Sequence, residues 1–179
     1  MDIDSLIDTV IDREGDYSNN AADRGGATRW GVTEAVARAH GFRGDMRAFP
    51  RADAVAIYKR IYWGRPGIDR LAPVAPAIAA ELFDTGVNMG PAVAVSFLHR
   101  ALNALNRGAR DYPDIVPGAK VDDATIAALT AFLARRRPNG ESVLLKALEA
   151  LQGERYLDLA ERRPANEAFL YGWLANRLG

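Results

Sequence analysis

Apolar residues recur at three- and four-residue spacing along almost the whole chain, and that one periodicity confines the fold to amphipathic helices packed on one another. Ile3, Leu6, Ile7, Val10 and Ile11 mark the first helix, with Asp4 or Ser5 as its N-cap and Gly15 as its stop. The stretch from Gly15 to Gly31 breaks the pattern. It holds Asn19, Asn20, Gly25 and Gly26 with few periodic apolar residues, and so reads as a loop or short irregular hairpin, the one plausible β region. Thr33 then caps a helix toward Gly41, and Val55, Tyr58, Ile61 and Tyr62 share one side of the next, which Gly64 and Pro66 end. Ala75 to Asp84 reads as helix, with a glycine C-cap and turn in Thr85–Pro91. Beyond it, Val93, Phe97, Leu98, Ala101, Leu102 and Leu105 keep helical spacing. A polar loop spans 106–121, Asp122 or Asp123 caps another helix, and a long helix from Val143 runs to Pro164 before Phe169, Leu170, Trp173 and Leu174 close the chain. The class expected is α+β, mostly α, with a small irregular hairpin after the first helix.

Charge and chemistry remove several functional classes. The 23 basic residues balance the 23 acidic ones, and the longest basic run, Arg135-Arg136-Arg137, reads as a solvated helix end, so nothing marks a nucleic-acid footprint. With no cysteine, thiol catalysis and cysteine-ligated zinc are excluded. His40 and His99 lack a second histidine at ligand spacing, so no metal site is expected. The acidic start Met1-Asp2-Ile3-Asp4 is unlike a signal peptide, and no apolar run approaches the ~20 residues of a membrane span. The expectation is synthesis in the cytoplasm without a recognisable signal.

Glu14 follows Ile11, Val10 and Ile7 by three, four and seven residues, which puts a carboxyl group on the apolar stripe of the first helix. Desolvation favours the protonated form, which is what a general acid needs; the alternative is a helix-end Glu paired with Arg13, Arg24 or Arg29. The loop after it carries a second acid, Asp23, with Tyr17, Thr28 and Trp30 among glycines. Two acids suit glycosidic hydrolysis, one to protonate the leaving oxygen and one to activate water or form a covalent intermediate, although Asp23 could instead be a turn former before Arg24-Gly25-Gly26. Asn88, in a glycine-flanked turn, could hydrogen-bond a polar ligand or simply suit that turn.

The run Val10-Ile11-Asp12-Arg13-Glu14-Gly15-Asp16-Tyr17-Ser18-Asn19-Asn20, followed by Asp23-Arg24-Gly25-Gly26-Ala27-Thr28-Arg29-Trp30-Gly31-Val32-Thr33, resembles the signature of glycoside hydrolase family 108, N-acetylmuramidases of lysozyme-like fold. Ala54 to Trp63 is similar to that family's Ala-x-x-Ile-Tyr-x-x-x-Tyr-Trp segment. Phe83–Pro91, the Leu98–Asn103 helix and Gly172–Arg177 are similar to the peptidoglycan-binding-like helical region that follows it. The sequence departs from the family's Glu-Gly-Gly-Tyr motif at Asp16, where glycine is usual. The resemblance implies a catalytic half over 1–90 and a helical half over 91–179 packed on it as one body. It implies Glu14 as the catalytic acid, with Asp23 and Thr28 in the order of the Glu, Asp, Thr triad of phage lysozymes, though the Asp-to-Thr spacing is one residue shorter here. Tyr17, Trp30 and Asn88 are the expected substrate-binding residues. The implied activity is cofactor-free, metal-free and inverting hydrolysis of the bond between N-acetylmuramic acid and N-acetylglucosamine in bacterial peptidoglycan. A lytic transglycosylase or a non-catalytic peptidoglycan-binding module are the alternatives. A phage endolysin acting as a monomer in the periplasm and depending on a holin or other export system would be the context.

Overall fold

The computed structural model describes residues 2–14, 16–18 and 26–178, the side chains of Arg13 and Glu14 excepted. The chain divides into two units, 1–65 and 66–179.

In the first unit, helix α1 (Ile3–Glu14) begins one turn-position earlier than expected. Asp2, rather than Asp4 or Ser5, is its cap: the Asp2 carboxylate accepts the Asp4 N–H at 3.3 Å. Ile7, Val10 and Ile11 are buried, while Asp4, Asp8 and Asp12, spaced by four, form the opposite edge. Asp4 meets Lys59 at 2.5 Å, and Arg51 reaches Asp8 at 2.6 Å and Asp12 at 3.8 Å. These pairs are largely exposed, so each contributes about 1 kcal/mol or less; the buried stripe holds the helix and the pairs set its rotation.

After α1 come three two-residue strands, β1 (Tyr17–Ser18), β2 (Thr28–Arg29) and β3 (Val32–Thr33), in the order β1-β2-β3, all antiparallel. The expected hairpin is therefore a three-stranded sheet. Tyr17 pairs with Arg29 and Ser18 with Thr28, and Arg29 in turn faces Val32. Helix α2 (Glu34–Ala39) starts at the expected cap, Thr33, whose hydroxyl accepts the Val36 N–H. Helix α3 (Arg51–Tyr58) runs into a π-helical turn over Lys59–Gly64. That wider turn breaks the expected stripe: Ala54, Ile57 and Tyr58 are buried, whereas Val55, Ile61 and Tyr62 are half-buried.

The second unit contains α4 (Pro76–Met89), α5 (Pro91–Leu105), α6 (Asp123–Arg135), α7 (Gly140–Arg162) and α8 (Glu167–Arg177). Helix α4 does not stop at Thr85-Gly86. Both residues are buried within it, and the C-cap is Gly90 at φ +93°. Gly86 faces Pro91 and Ala94 of α5, so packing overrides the glycine's weak helix propensity. Leu82, Leu98, Leu102, Leu129, Phe132, Leu144 and Leu148 are essentially inaccessible to solvent, each contributing about 2 kcal/mol by burial.

Side chains organise the loop between α5 and α6. Fully buried Asn106 accepts the Asp111 and Tyr112 N–H groups and donates to the Tyr112 carbonyl and the Asp114 carboxylate. Asp122 caps α6 through a reciprocal box with Thr125. Arg136 is not merely solvated: it is half-buried, donates to the Leu105 carbonyl and lies 3.6 Å from the buried Asp111 carboxylate. At the chain end Trp173 stacks on Tyr156 of α7 at 5.3 Å, and Arg177 reaches Asp84 of α4 at 3.5 Å. Among the described residues no helix is long and apolar enough to cross a membrane. The architecture is α+β and mostly α, with its small β element directly after the first helix.

Candidate functional site

Glu14 is the last residue of α1, at the register position one turn beyond Val10 and Ile11 and two beyond Ile7. Asp23, the second expected acid, lies outside the described residues. Thr28 opens β2, between Ser18 and Thr33 in the sheet, and its Oγ1 is buried with no hydrogen-bond partner among the described residues. A hydroxyl can both donate and accept, and leaving one buried and unpaired costs about 1–3 kcal/mol. Strand pairing fixes this group in place without using it.

Trp30 and Gly31 form the two-residue turn between β2 and β3, with φ +54° and +72°. Positive φ at both positions is the type I′ geometry that matches strand twist, normally built from Asn-Gly or Asp-Gly. A tryptophan in the left-handed region is strained by roughly 1–3 kcal/mol. The surroundings hold it there: its Nε1–H donates to the Phe49 carbonyl at 3.1 Å, and its backbone N–H donates to the Asp16 carbonyl at 3.0 Å. Arg29 lies over the ring at 5.0 Å while its Nε donates to Asp16 at 3.1 Å. Asp16 is thus exposed but paired with Arg29, which ties β1 to β2.

Tyr17 in β1 is half-buried, with Arg47 over its ring at 5.4 Å. It borders an open depression of about 520 Å³ together with Gly26, Glu34, Arg38, Arg43 and Asp45. Glu34 and Arg38 form an (i, i+4) pair at 2.8 Å, and the Glu34 N–H donates to the Ala27 carbonyl at 2.7 Å, fastening α2 to the sheet. Tyr17, Thr28 and Trp30 thus share the small sheet, as their positions in one loop implied. Asn88 belongs to the second unit. It lies on α4, not in a turn, because the helix continues through Gly86, and its Nδ2 donates to the Tyr156 hydroxyl. Sequence reasoning missed Arg47 and Phe49, whose roles depend on a short 3₁₀ turn at Met46–Ala48 with no periodic signal.

Both ring nitrogens of His99 are occupied structurally. The Gly118 N–H donates to His99 Nδ1 at 3.2 Å, which leaves Nε2–H to donate to Thr125 Oγ1 at 2.9 Å, and that hydroxyl donates in turn to the Asp122 carboxylate at 2.7 Å. Burial holds the His99 pKa below its ordinary value, against the pull of the Asp122 carboxylate. On α4, burial raises the Glu81 pKa, against the hydrogen bond it accepts from Thr85 and with Asp84 and Glu149 adding to the rise.

The structure resembles one titled "Structure of Brucella abortus SagA", 21% identical in sequence, with a TM-score of 0.66 over 98% of this chain and 88% of that one. Among curated proteins none matches the sequence at a significant level. Residues 7–90 match the family described as Glycosyl hydrolase 108, and residues 93–178 match the one described as Predicted Peptidoglycan domain. The first match ends at the α4–α5 junction while the packing division falls at Arg65–Pro66, so α4 belongs by sequence to one half and by packing to the other. The chain is thus similar over residues 7–90 to the glycosyl hydrolase 108 family, and over residues 93–178 to a peptidoglycan domain family.

Proposed function

We propose that this protein is a peptidoglycan hydrolase that cleaves the glycosidic bond between N-acetylmuramic acid and N-acetylglucosamine. The family match over residues 7–90, which spans Glu14, Asp23 and Thr28, carries the reading; the peptidoglycan domain over 93–178 names the polymer. Pairing with Ser18 and Thr33 in the sheet gives Thr28 the rigid backbone that a water-positioning residue needs.

In this mechanism the Glu14 carboxyl group gives its proton to the glycosidic oxygen as the bond from the sugar C1 to that oxygen breaks. A water held by Asp23 and Thr28 forms the new bond to C1 from the opposite face and gives its proton to the Asp23 carboxylate. The anomeric centre inverts, which requires the two carboxyl groups to stand about 6.5–9.5 Å apart; a separation near 5 Å would make Asp23 the nucleophile of a retaining reaction. Tyr17 and Trp30 offer ring surface to the sugars, each with one face already taken by an arginine.

The test is Glu14→Gln, which keeps the side chain's shape and removes its acid. Clearing of a peptidoglycan suspension falls at least 10²-fold while the far-ultraviolet dichroism stays that of the parent. Undiminished clearing overturns the assignment of Glu14. Mass spectrometry of the digest gives hydrated reducing ends; anhydro-muramyl products would make the enzyme a lytic transglycosylase instead.

A further inference from the structure

On the first unit a second open cleft, of about 450 Å³, lies between the end of α2 and α3, within the range of about 300–1,000 Å³ usual for ligand sites. Its apolar wall is the edge-to-face pair Phe42 and Phe49, at 5.0 Å and 72°, with Ile57 beneath. Its charged groups meet no opposite charge among the described residues. Arg43 is pinned by two carbonyls, its Nη1 donating to Arg38 at 2.8 Å and Phe42 at 3.3 Å, and it has no carboxylate partner among the described residues. Arg60 and Asp53, both exposed, have no ion-pair partner among those residues either. His40 donates from Nδ1 to the Val36 carbonyl at 2.9 Å, which leaves Nε2 as a free acceptor.

Two uncompensated guanidiniums, one carboxylate, one imidazole acceptor and an apolar wall describe a ligand in chemical terms. It carries more than one carboxylate, an amino group and a small aliphatic body. A bare glycan strand carries single lactyl carboxylates but no amine to match Asp53; a short acidic peptide with a free amine matches each of these groups. The cleft and the depression beside Tyr17 share Arg43, so a polymer lying against Tyr17 would bring its side branches to this cleft. We infer that the cleft between α2 and α3 binds the acidic stem peptide borne by the glycan, so that the protein prefers peptide-substituted strands to bare ones. This inference rests on the proposed function for its biological setting, though the peptide site can be measured without it.

The experiment uses the full chain, intact sacculi, the same sacculi stripped of stem peptides by an amidase, and the free tripeptide L-Ala–γ-D-Glu–meso-diaminopimelate. Wild type releases reducing ends from intact sacculi about five- to ten-fold faster than from stripped strands, and the tripeptide shifts the amide resonances of Gly41 and Ala56. Arg60→Glu brings the rate on intact sacculi down to that on stripped strands and abolishes the shifts. Ala56→Glu, on the exposed edge of α3, does the same without touching a buried group. Equal wild-type rates on both substrates, or an equal loss on both in these variants, overturn the inference while leaving the hydrolase reading intact. If the wild type cleaves neither substrate, the hydrolase reading fails and the tripeptide titration alone decides: shifts at Gly41 and Ala56 uphold the site, and their absence refutes it.

Discussion

Replacing Thr28 by valine separates what this residue does for the fold from what it does for the reaction. Valine has the same branched shape and suits a strand at least as well, so the pairing of position 28 with Ser18 and Thr33 is unaffected. The only group lost is a buried hydroxyl without a partner among the described residues. Its burial costs about 1–3 kcal/mol, so the variant is more stable by about 1 kcal/mol. With a urea m-value of about 2 kcal/mol/M, the unfolding midpoint rises by roughly 0.5 M. Loss of a water-holding group has the opposite effect on turnover: about 10²-fold, equivalent to about 2.7 kcal/mol of transition-state stabilisation. The assays are urea unfolding followed by dichroism and reducing-end release from sacculi, run on the same preparations. Higher stability with lower activity is the signature of a group retained for chemistry. A lower midpoint would show that the hydroxyl makes a structural bond, and unchanged turnover would remove Thr28 from the mechanism.

His99 and Glu81 give opposite pH responses. The folded pKa of His99 lies below its unfolded value, so the unfolded chain binds the extra proton; its contribution to stability is complete above about pH 6.5 and is lost as pH falls through the folded value. Urea midpoints therefore drop from pH 7.5 to pH 5.5, and His99→Gln flattens that limb; a parallel profile in the variant would refute the assignment. Glu81 has its folded pKa raised, so its contribution is present below the unfolded value near 4.5 and is lost as pH rises through the folded one. Glu81→Gln accordingly raises the midpoint at pH 7 and makes little difference at pH 4, which the same titration reads; equal midpoints at pH 7 would exclude a buried, charge-crowded carboxyl.

Much of this protein follows from local chemistry in the chain. The stripe of Ile7, Val10 and Ile11 requires α1 to bury one face, and it brings Glu14 to the end of that face because the helical repeat returns every three to four residues. Thr33 and Asp122 cap their helices because a short side-chain oxygen can reach the first free N–H groups. Other features exist only because distant segments meet. Gly86 reads as a helix stop, yet contact with Pro91 and Ala94 keeps α4 running to Gly90, and so Asn88 sits on a helix bonded to Tyr156. Trp30 lacks the signal of a type I′ turn; the Phe49 carbonyl, nineteen residues away, holds the indole and stabilises the strained backbone. The cleft beside α2 is of the same kind. Its Arg43, Asp53 and Arg60 are unremarkable surface charges one by one, and become a site only when α2 and α3 bring them to a common wall. Sequence determines what each segment can become, because periodicity and capping are short-range; which polar groups face one another, and which are left unsatisfied, depends on contacts between segments that no local pattern encodes.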